Sequence, residues 1–327
     1  MDIPLFTKLA HEKFINEQEI RKIELQKDKP LSVHWDLRTL LYLGIILVTA
    51  AVGILIYKNI DTISHQVLLI IIASVCIICF GYCFKNSKGY GNKKIESPNI
   101  WFDYILLLGC LLLFTFVGYI QFQYNVFGNR WGLAAFIPMV ILFITAYYFD
   151  HLGVLSLAIT NLATWVGISV TPLRILKEND FNDPHIIYAG LVLGVILVYV
   201  SLIIQYKNIK AHFAFTYKNF GAHILFISLL ALMTYFENIY LVCLLLLAGV
   251  SFLFFKNALK ENSFYFLVVT LLYAYIGVSY VVTRLLSMSG FDMGPIYLVI
   301  IYFIVSGIGL IRLFIHYNKI LKKNAGL

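Results

Sequence analysis

Charge is what this chain has least of. Asp, Glu, Lys and Arg make up 13% of its 327 residues, against about a quarter in a soluble domain. A water-facing surface needs charge and a lipid-facing one excludes it, so the deficit argues against an ordinary soluble fold. The five cysteines, Cys76, Cys79, Cys83, Cys110 and Cys243, all sit inside apolar runs. Cys76 and Cys79 have CxxC spacing and Cys83 continues their helical face, but the nearest histidine, His65, lies outside that run. They read as small apolar packing residues rather than as a redox or metal site, and nothing suggests a disulfide framework.

Chemical motifs are missing too. There is no HExxH pair for zinc, no glycine-rich phosphate loop, no GxSxG elbow, no arginine series and no paired histidines of the kind that hold haem between spans. Each of those chemistries needs its residue types at a fixed spacing. An ordinary membrane hydrolase, ATPase or cytochrome is disfavoured. The expectation is a protein that is not an enzyme and carries no cofactor and no metal.

What is present is apolar. Hydrophobic residues are 61% of the chain, aromatics 16%, and mean hydropathy is +0.84. The organising stretch is Leu37–Tyr57, with no charge after Arg38. About 20 helical residues at roughly 1.5 Å each cross a hydrocarbon core of roughly 30 Å. This first run lacks an Ala-x-Ala-like cleavage site and is expected to stay as a span. Further runs of spanning length follow at Val67–Phe84, Ile100–Ile120, Trp131–Phe149, Leu152–Val170, Ile186–Ile204, Phe220–Phe236, Ile239–Phe255, Ser263–Leu286 and Gly294–Tyr317. Runs of this length identify helices, not barrel strands. The expected fold is an all-α polytopic transmembrane bundle of about ten spans. Residues 1–36 form a cytoplasmic helical segment, 37–317 the bundle and 318–327 a basic tail. In the leader, Asn16-Glu17-Gln18-Glu19 has capping-box spacing, with Ile15 and Ile20 placed for a hydrophobic staple.

The formal charge is +8. On a soluble protein that would suggest nucleic acid; here its distribution explains it. Alternating ten spans from an inside N-terminus puts twenty of the 25 lysines and arginines on inside segments. Only Lys58, Arg130, Arg174, Lys177 and Arg284 are left outside. That four-to-one bias predicts both termini in the cytoplasm, as in a bacterial inner-membrane protein. A five-plus-five inverted repeat is not supported. The long loop after the second span would have to correspond to the tight Glu237-Asn238 turn after the seventh.

The N-terminal part carries a resemblance. A two-helix leader with an Ile-Asn-Glu-Gln-Glu step precedes YLGIILVTAAVGILIYKNIDTIS. Over roughly residues 6–84 this resembles the bacterial membrane-protein family called domain of unknown function 2157. In that family a Leu-Gly-containing first span ends in an Asn-Trp-Asp-like turn. Here the turn is Asn59-Ile60-Asp61, without the tryptophan. The resemblance implies a polytopic inner-membrane protein and brings no activity or site residues.

Polar groups within spans are the candidate functional residues, because hydrocarbon makes them costly. Asp103 lies one turn into the third span: either a proton or cation site, or a first-turn carboxylate favoured by the helix dipole. Asn161 and Thr164, three residues apart beside Thr160, share a face of the fifth span. They either line a polar cavity or bond between helices and to their own backbone. His223, near the inner end of the seventh span, stands the same way. Glu237 and Arg284 fall near outer span ends, on the same side as Asp61, His65, Arg130, Arg174, Asp180, Asp183, His185 and Asp292. These make either a charged outer mouth or a solvated rim. Pro138 is placed to kink the fourth span. Gly190 and Gly194, with GxxxG spacing, and Gly307 and Gly309 allow close helix approach.

Two functions are carried forward, and a third, a membrane-embedded enzyme acting on a lipid, is disfavoured by the missing motifs. One is a non-enzymatic structural or accessory membrane protein, with membrane lipids and other membrane subunits as partners and no nucleic acid. The alternative is a transporter or channel for a small solute or lipid.

Overall fold

A computed structural model of the chain describes residues 34–58, 64–170, 183–287 and 293–324. Every regular element among them is an α-helix. These are α1 (His34–Lys58), α2 (His65–Asn86), α3 (Ile100–Tyr124), α4 (Trp131–Phe149), α5 (Leu152–Val170), α6 (Pro184–Lys207), α7 (Phe213–Tyr235), α8 (Tyr240–Lys260), α9 (Phe264–Ser287) and α10 (Met293–Asn324). Nine of the ten, α2 through α10, are long and apolar enough to cross a membrane. The chain is a polytopic helical membrane protein. The capping box at Asn16–Glu19 lies outside the described residues.

Two compact units are distinguished, Met1–Leu68 and Leu69–Leu327. The first contains α1, a 25-residue helix about 37 Å long, with an apolar stretch at Thr39–Ala51. The second holds the packed bundle. One core joins Phe102, Leu106 and Cys110 of α3, Leu142 and Ala146 of α4, Leu155 and Ile159 of α5, and Phe213 and Tyr217 of α7. A second joins Leu225, Phe226 and Met233 of α7, Leu247 of α8 and Leu267 of α9. Helices α6 and α7 contribute to both cores.

That shared wall is built on glycine. A Cβ at Gly194 would stand 2.8 Å from the Leu225 backbone nitrogen, and one at Gly221 would stand 2.9 Å from the Val198 nitrogen. Both are closer than side-chain carbons come to backbone, so α6 and α7 touch main chain to main chain. Gly190, which completes the GxxxG spacing, faces Ser228. Gly307 and Gly309 on α10 have nothing within 4 Å of where a Cβ would be.

Connections are short and chemically specified. Asn99 caps α3 by accepting from the Phe102 amide at 2.8 Å. Asp183 caps α6 by accepting from the His185 amide at 2.8 Å, with Pro184 as the first helical residue. Asn125, Asp150 and Asn208 end α3, α4 and α6 in the left-handed conformation that Asn and Asp tolerate best after glycine. Gln121, almost wholly buried, ties the turn after α3. It donates to Asn125 Oδ1 and to the Gly128 carbonyl and accepts from the Phe127 amide.

Several boundaries differ from the hydropathy reading. Helix α7 begins at Phe213, seven residues before Phe220, because Lys218 is buried within it and neutralised by a partner. Helix α10 continues to Asn324 through most of the expected basic tail. Helix α3 runs on to Tyr124.

Candidate functional site

Two features concentrate the polar chemistry: a recess at mid-depth and an ionic cluster at one end of the bundle.

The recess is about 190 Å³ and is lined by Cys110, Leu111 and Phe114 of α3, Leu142 of α4, and Leu157, Thr160, Asn161 and Thr164 of α5. Asn161 is the tenth of nineteen residues in α5, so the recess sits far from either helix end. Phe114, Thr160 and Thr164 are exposed, which places its opening on the side of the bundle, between α3 and α5. Asn161 is 4% exposed. Its Nδ2 donates to the Ala135 carbonyl of α4 at 2.8 Å. Ala135 lies one turn before Pro138, which is buried inside α4 and supplies no amide proton to the carbonyl four residues back. That carbonyl belongs to Ala134, the residue before the one that Asn161 bonds. Its Oδ1 is buried with no hydrogen-bond partner. Thr160 and Thr164 donate their hydroxyls to their own helix, to the carbonyls of Ser156 at 2.9 Å and Thr160 at 3.1 Å. Asn161 and Thr164 both line this recess, Asn161 also bonding across to α4 and Thr164 to its own helix.

At one end, three connections converge. The Asp150 carboxylate accepts from Lys210 Nζ at 2.6 Å and from the Ile95 amide at 2.6 Å, and it lies 2.9 Å from His212 Nε2. The side chains of Lys210 and Asp150 are both fully buried. The Lys210 amide donates to the Asn92 carbonyl at 2.9 Å. The Tyr90 and Phe213 rings flank its ammonium at 5.1 and 5.5 Å. The α2–α3, α4–α5 and α6–α7 connections are locked to one another there. Nearby, Asp103 is 5% exposed in the first turn of α3. It accepts from the Ser97 hydroxyl at 2.5 Å and faces His151 Nε2 at 3.8 Å. His151 caps α5, its Nδ1 accepting from the Val154 amide at 3.0 Å. Also at this end, Lys218 of α7 pairs with Glu261 after α8 at 2.5 Å, over the Phe266 ring.

His223 belongs to a chain of hydroxyls. Tyr265 donates to Asn219 Oδ1 at 2.6 Å. Its oxygen is thus left to accept from His223 Nε2 at 3.1 Å. His223 Nδ1 then accepts from the Tyr273 hydroxyl at 2.8 Å. Glu237 and Arg284 are brought together at 3.1 Å, with Arg284 also donating to Tyr280 and lying over the Tyr240 ring. Glu237 is mostly exposed in this pair, the geometry of a rim contact that contributes little to stability. Asp183 and His185, two other members of the expected mouth, are engaged with each other at the start of α6. Asp61, Arg174, Asp180 and Asp292 lie outside the described residues. Neither Asp103 nor His223 lines the recess.

Sequence reasoning did not single out Asp150, Lys210 or His212. The one signal was the two-residue Asp150-His151 turn between two spans, too short to solvate an aspartate freely. Among the described residues no group of three or more His, Cys, Asp or Glu side chains is arranged to hold a metal ion.

Residues 7–155 match a family described as predicted membrane protein, domain of unknown function 2157. The match takes in the resemblance at residues 6–84 and continues through α4 to the first residues of α5, a little under half of the chain. It includes Asp103 and Asp150 but stops short of Asn161 and Lys210. The domain of unknown function 2157 carries no stated activity in its description. No curated protein matches the chain, and no solved structure does.

Proposed function

We propose that this is a non-enzymatic structural or accessory protein of the bacterial inner membrane, acting by association with other membrane subunits. The observation that carries the reading is how its intramembrane polar groups are used. Asn161, Thr160, Thr164 and both ring nitrogens of His223 bond to the protein's own helices. Hydrogen bonds of this kind join helices in lipid. Outward-facing apolar surface, by contrast, is extensive: the apolar window of α10 buries none of its residues against the rest of the chain. The full chain purified in mild detergent should have a mass above that of one copy, from self-association or a stoichiometric co-purifying membrane subunit. A monomer free of any such subunit refutes the proposal.

The orientation proposed with it places the Asp150–Lys210 end and both termini in the cytoplasm. Support comes from the lysine and arginine bias and from the meeting at one end of three connections that alternation assigns to one side. Reporter fusions at residues 90 and 238 should give cytoplasmic and periplasmic signals respectively.

The second reading, a transporter or channel for a small solute or lipid, is favoured by the recess at Asn161 and Thr164. Flux in liposomes across a solute panel tests it, with Asn161→Leu as the diagnostic variant.

A further inference from the structure

The buried Asp150–Lys210 pair also fixes a connection that carries unpaired charge. Residues 87–99, between α2 and α3, form no helix or strand, yet they are tied down along their length. The Asn92 carbonyl accepts from the Lys210 amide at 2.9 Å, and the Ile95 amide donates to Asp150 at 2.6 Å. Ser97 donates to Asp103, and Asn99 Nδ2 donates to the Tyr82 hydroxyl at 3.0 Å. Lys93 and Lys94 are the two residues held between the first two anchors.

Five lysines stand at this end. Lys85 lies in the last turn of α2, Lys88, Lys93 and Lys94 follow on the connection, and Lys207 ends α6, three residues before Lys210. All five are exposed. None of their ammonium groups has an ion pair or hydrogen bond within the protein, whereas Lys210 and Lys218 are buried against carboxylates. Glu96 is the one acid on the same connection. Asp103 and Asp150 are buried and already engaged.

Aromatic rings mark the depth of these charges. Phe84 and Tyr206 immediately precede Lys85 and Lys207 at the ends of α2 and α6, and Trp101 opens α3; all three are exposed. Rings beside lysines at span ends are the side chains with which a membrane protein meets the boundary between hydrocarbon and headgroups. The unpaired ammonium groups therefore stand at the level of lipid phosphates.

We infer that the ends of α2 and α6 and the connection between α2 and α3 form a binding site for anionic phospholipid. The lysines pair with the headgroup phosphate, as in phosphatidylglycerol. A zwitterionic headgroup offers the same phosphate but brings its own cation, which the lysines repel. Anchoring Lys93 and Lys94 at Asn92 and Ile95 lowers the ordering cost that binding would otherwise carry. This goes beyond the proposed association with membrane subunits and does not depend on it, since lipid binding needs neither a second subunit nor flux.

The test is native mass spectrometry of the full chain released from detergent micelles, with phosphatidylglycerol and phosphatidylcholine of matched acyl chains offered in equal amounts. Wild type should carry phosphatidylglycerol in preference by about fivefold or more, the equivalent of one lysine attracted to an anionic headgroup. The preference should shrink as ionic strength rises. Replacing Lys88, Lys93, Lys94 and Lys207 by glutamine should bring the ratio close to one. Replacing Lys256, Lys260, Lys319 and Lys322, exposed lysines on other elements, removes the same charge and should leave the preference in place. An excess of free glycerol phosphate should not compete. Equal retention of the two lipids by wild type overturns the inference, as does a preference that survives the first set of replacements. Equal loss in both sets also overturns it, by reducing the effect to net charge, and competition by glycerol phosphate would make this a site for a soluble phosphate instead. Should the fourfold variant fail to fold, Lys93→Gln and Lys94→Gln decide the matter singly: each should lower the ratio, and an unchanged ratio in both refutes the site.

Discussion

The Lys210 ammonium and the Asp150 carboxylate meet at 2.6 Å with neither side chain exposed, although sixty residues separate them in the chain. Burying two charges costs several kcal/mol each, and their attraction offsets this only when every remaining lone pair and proton is also satisfied. Here the carboxylate takes a backbone amide from Ile95 and approaches His212, and the ammonium sits between two aromatic rings. Removing one partner leaves the other charged and buried. Lys210→Met or Asp150→Leu alone should cost about 3–5 kcal/mol. The double replacement should recover most of that. Reversible unfolding in mixed micelles over the four-member cycle measures both, and additive single costs would show that the pair is not coupled.

The glycine contact between α6 and α7 predicts a different failure. A methyl group at Gly194 has backbone, not a flexible side-chain end, as its nearest neighbour. The helices must separate to admit it. Gly194→Ala should cost about 1–3 kcal/mol and Gly194→Leu more. Gly307→Ala on α10 has open space to enter and should be neutral or slightly favourable, since alanine also improves helix propensity. Equal thermal shifts for Gly194→Ala and Gly307→Ala would contradict the close approach.

Lys218 supplies a third case. It is 3% exposed on α7, paired with Glu261 and seated over Phe266. Glu261 is partly exposed, so the two truncations are not symmetric. Glu261→Gln leaves a buried ammonium with a weaker acceptor and should destabilise by about 1–3 kcal/mol. Lys218→Met leaves a carboxylate that can turn toward water and should cost less. The ranking can be read from melting temperatures of the two variants.

These residues also show where a linear sequence stops being informative. The spans were legible because hydrocarbon imposes a length and a composition on every segment that crosses it. The start of α7 was not. Hydropathy treats Lys218 as a surface residue, whereas its neutralising partner is 43 positions away. The wall formed by Asn161 and Thr164 was legible from their spacing on one helix face. The Ala135 carbonyl and the opposite wall at Cys110 and Phe114 come from other helices, and no local pattern encodes them. Asp150, Lys210 and His212 stayed hidden for the same reason. Each belongs to a different connection or lies sixty positions from its partner, and only the packing of the bundle brings them within bonding distance.

The last prediction concerns a proton position. Tyr265 has one hydroxyl proton, directed to Asn219 Oδ1 at 2.6 Å. Its oxygen can then serve His223 Nε2 only as an acceptor, so Nε2 carries hydrogen and Nδ1 is free to receive the Tyr273 hydroxyl. Nitrogen-15 spectra of histidine-labelled protein should show His223 as the neutral Nε2–H tautomer. Tyr273→Phe removes the donor to Nδ1 and leaves a half-buried acceptor unpaired, at about 1–3 kcal/mol. Asn219→Leu removes the acceptor that orients Tyr265 and frees that hydroxyl to donate to Nε2. The ring should then shift toward the Nδ1–H tautomer, with Tyr273 turning its oxygen to accept. A tautomer that does not respond to Asn219→Leu would mean that the hydroxyl chain does not set the proton's position.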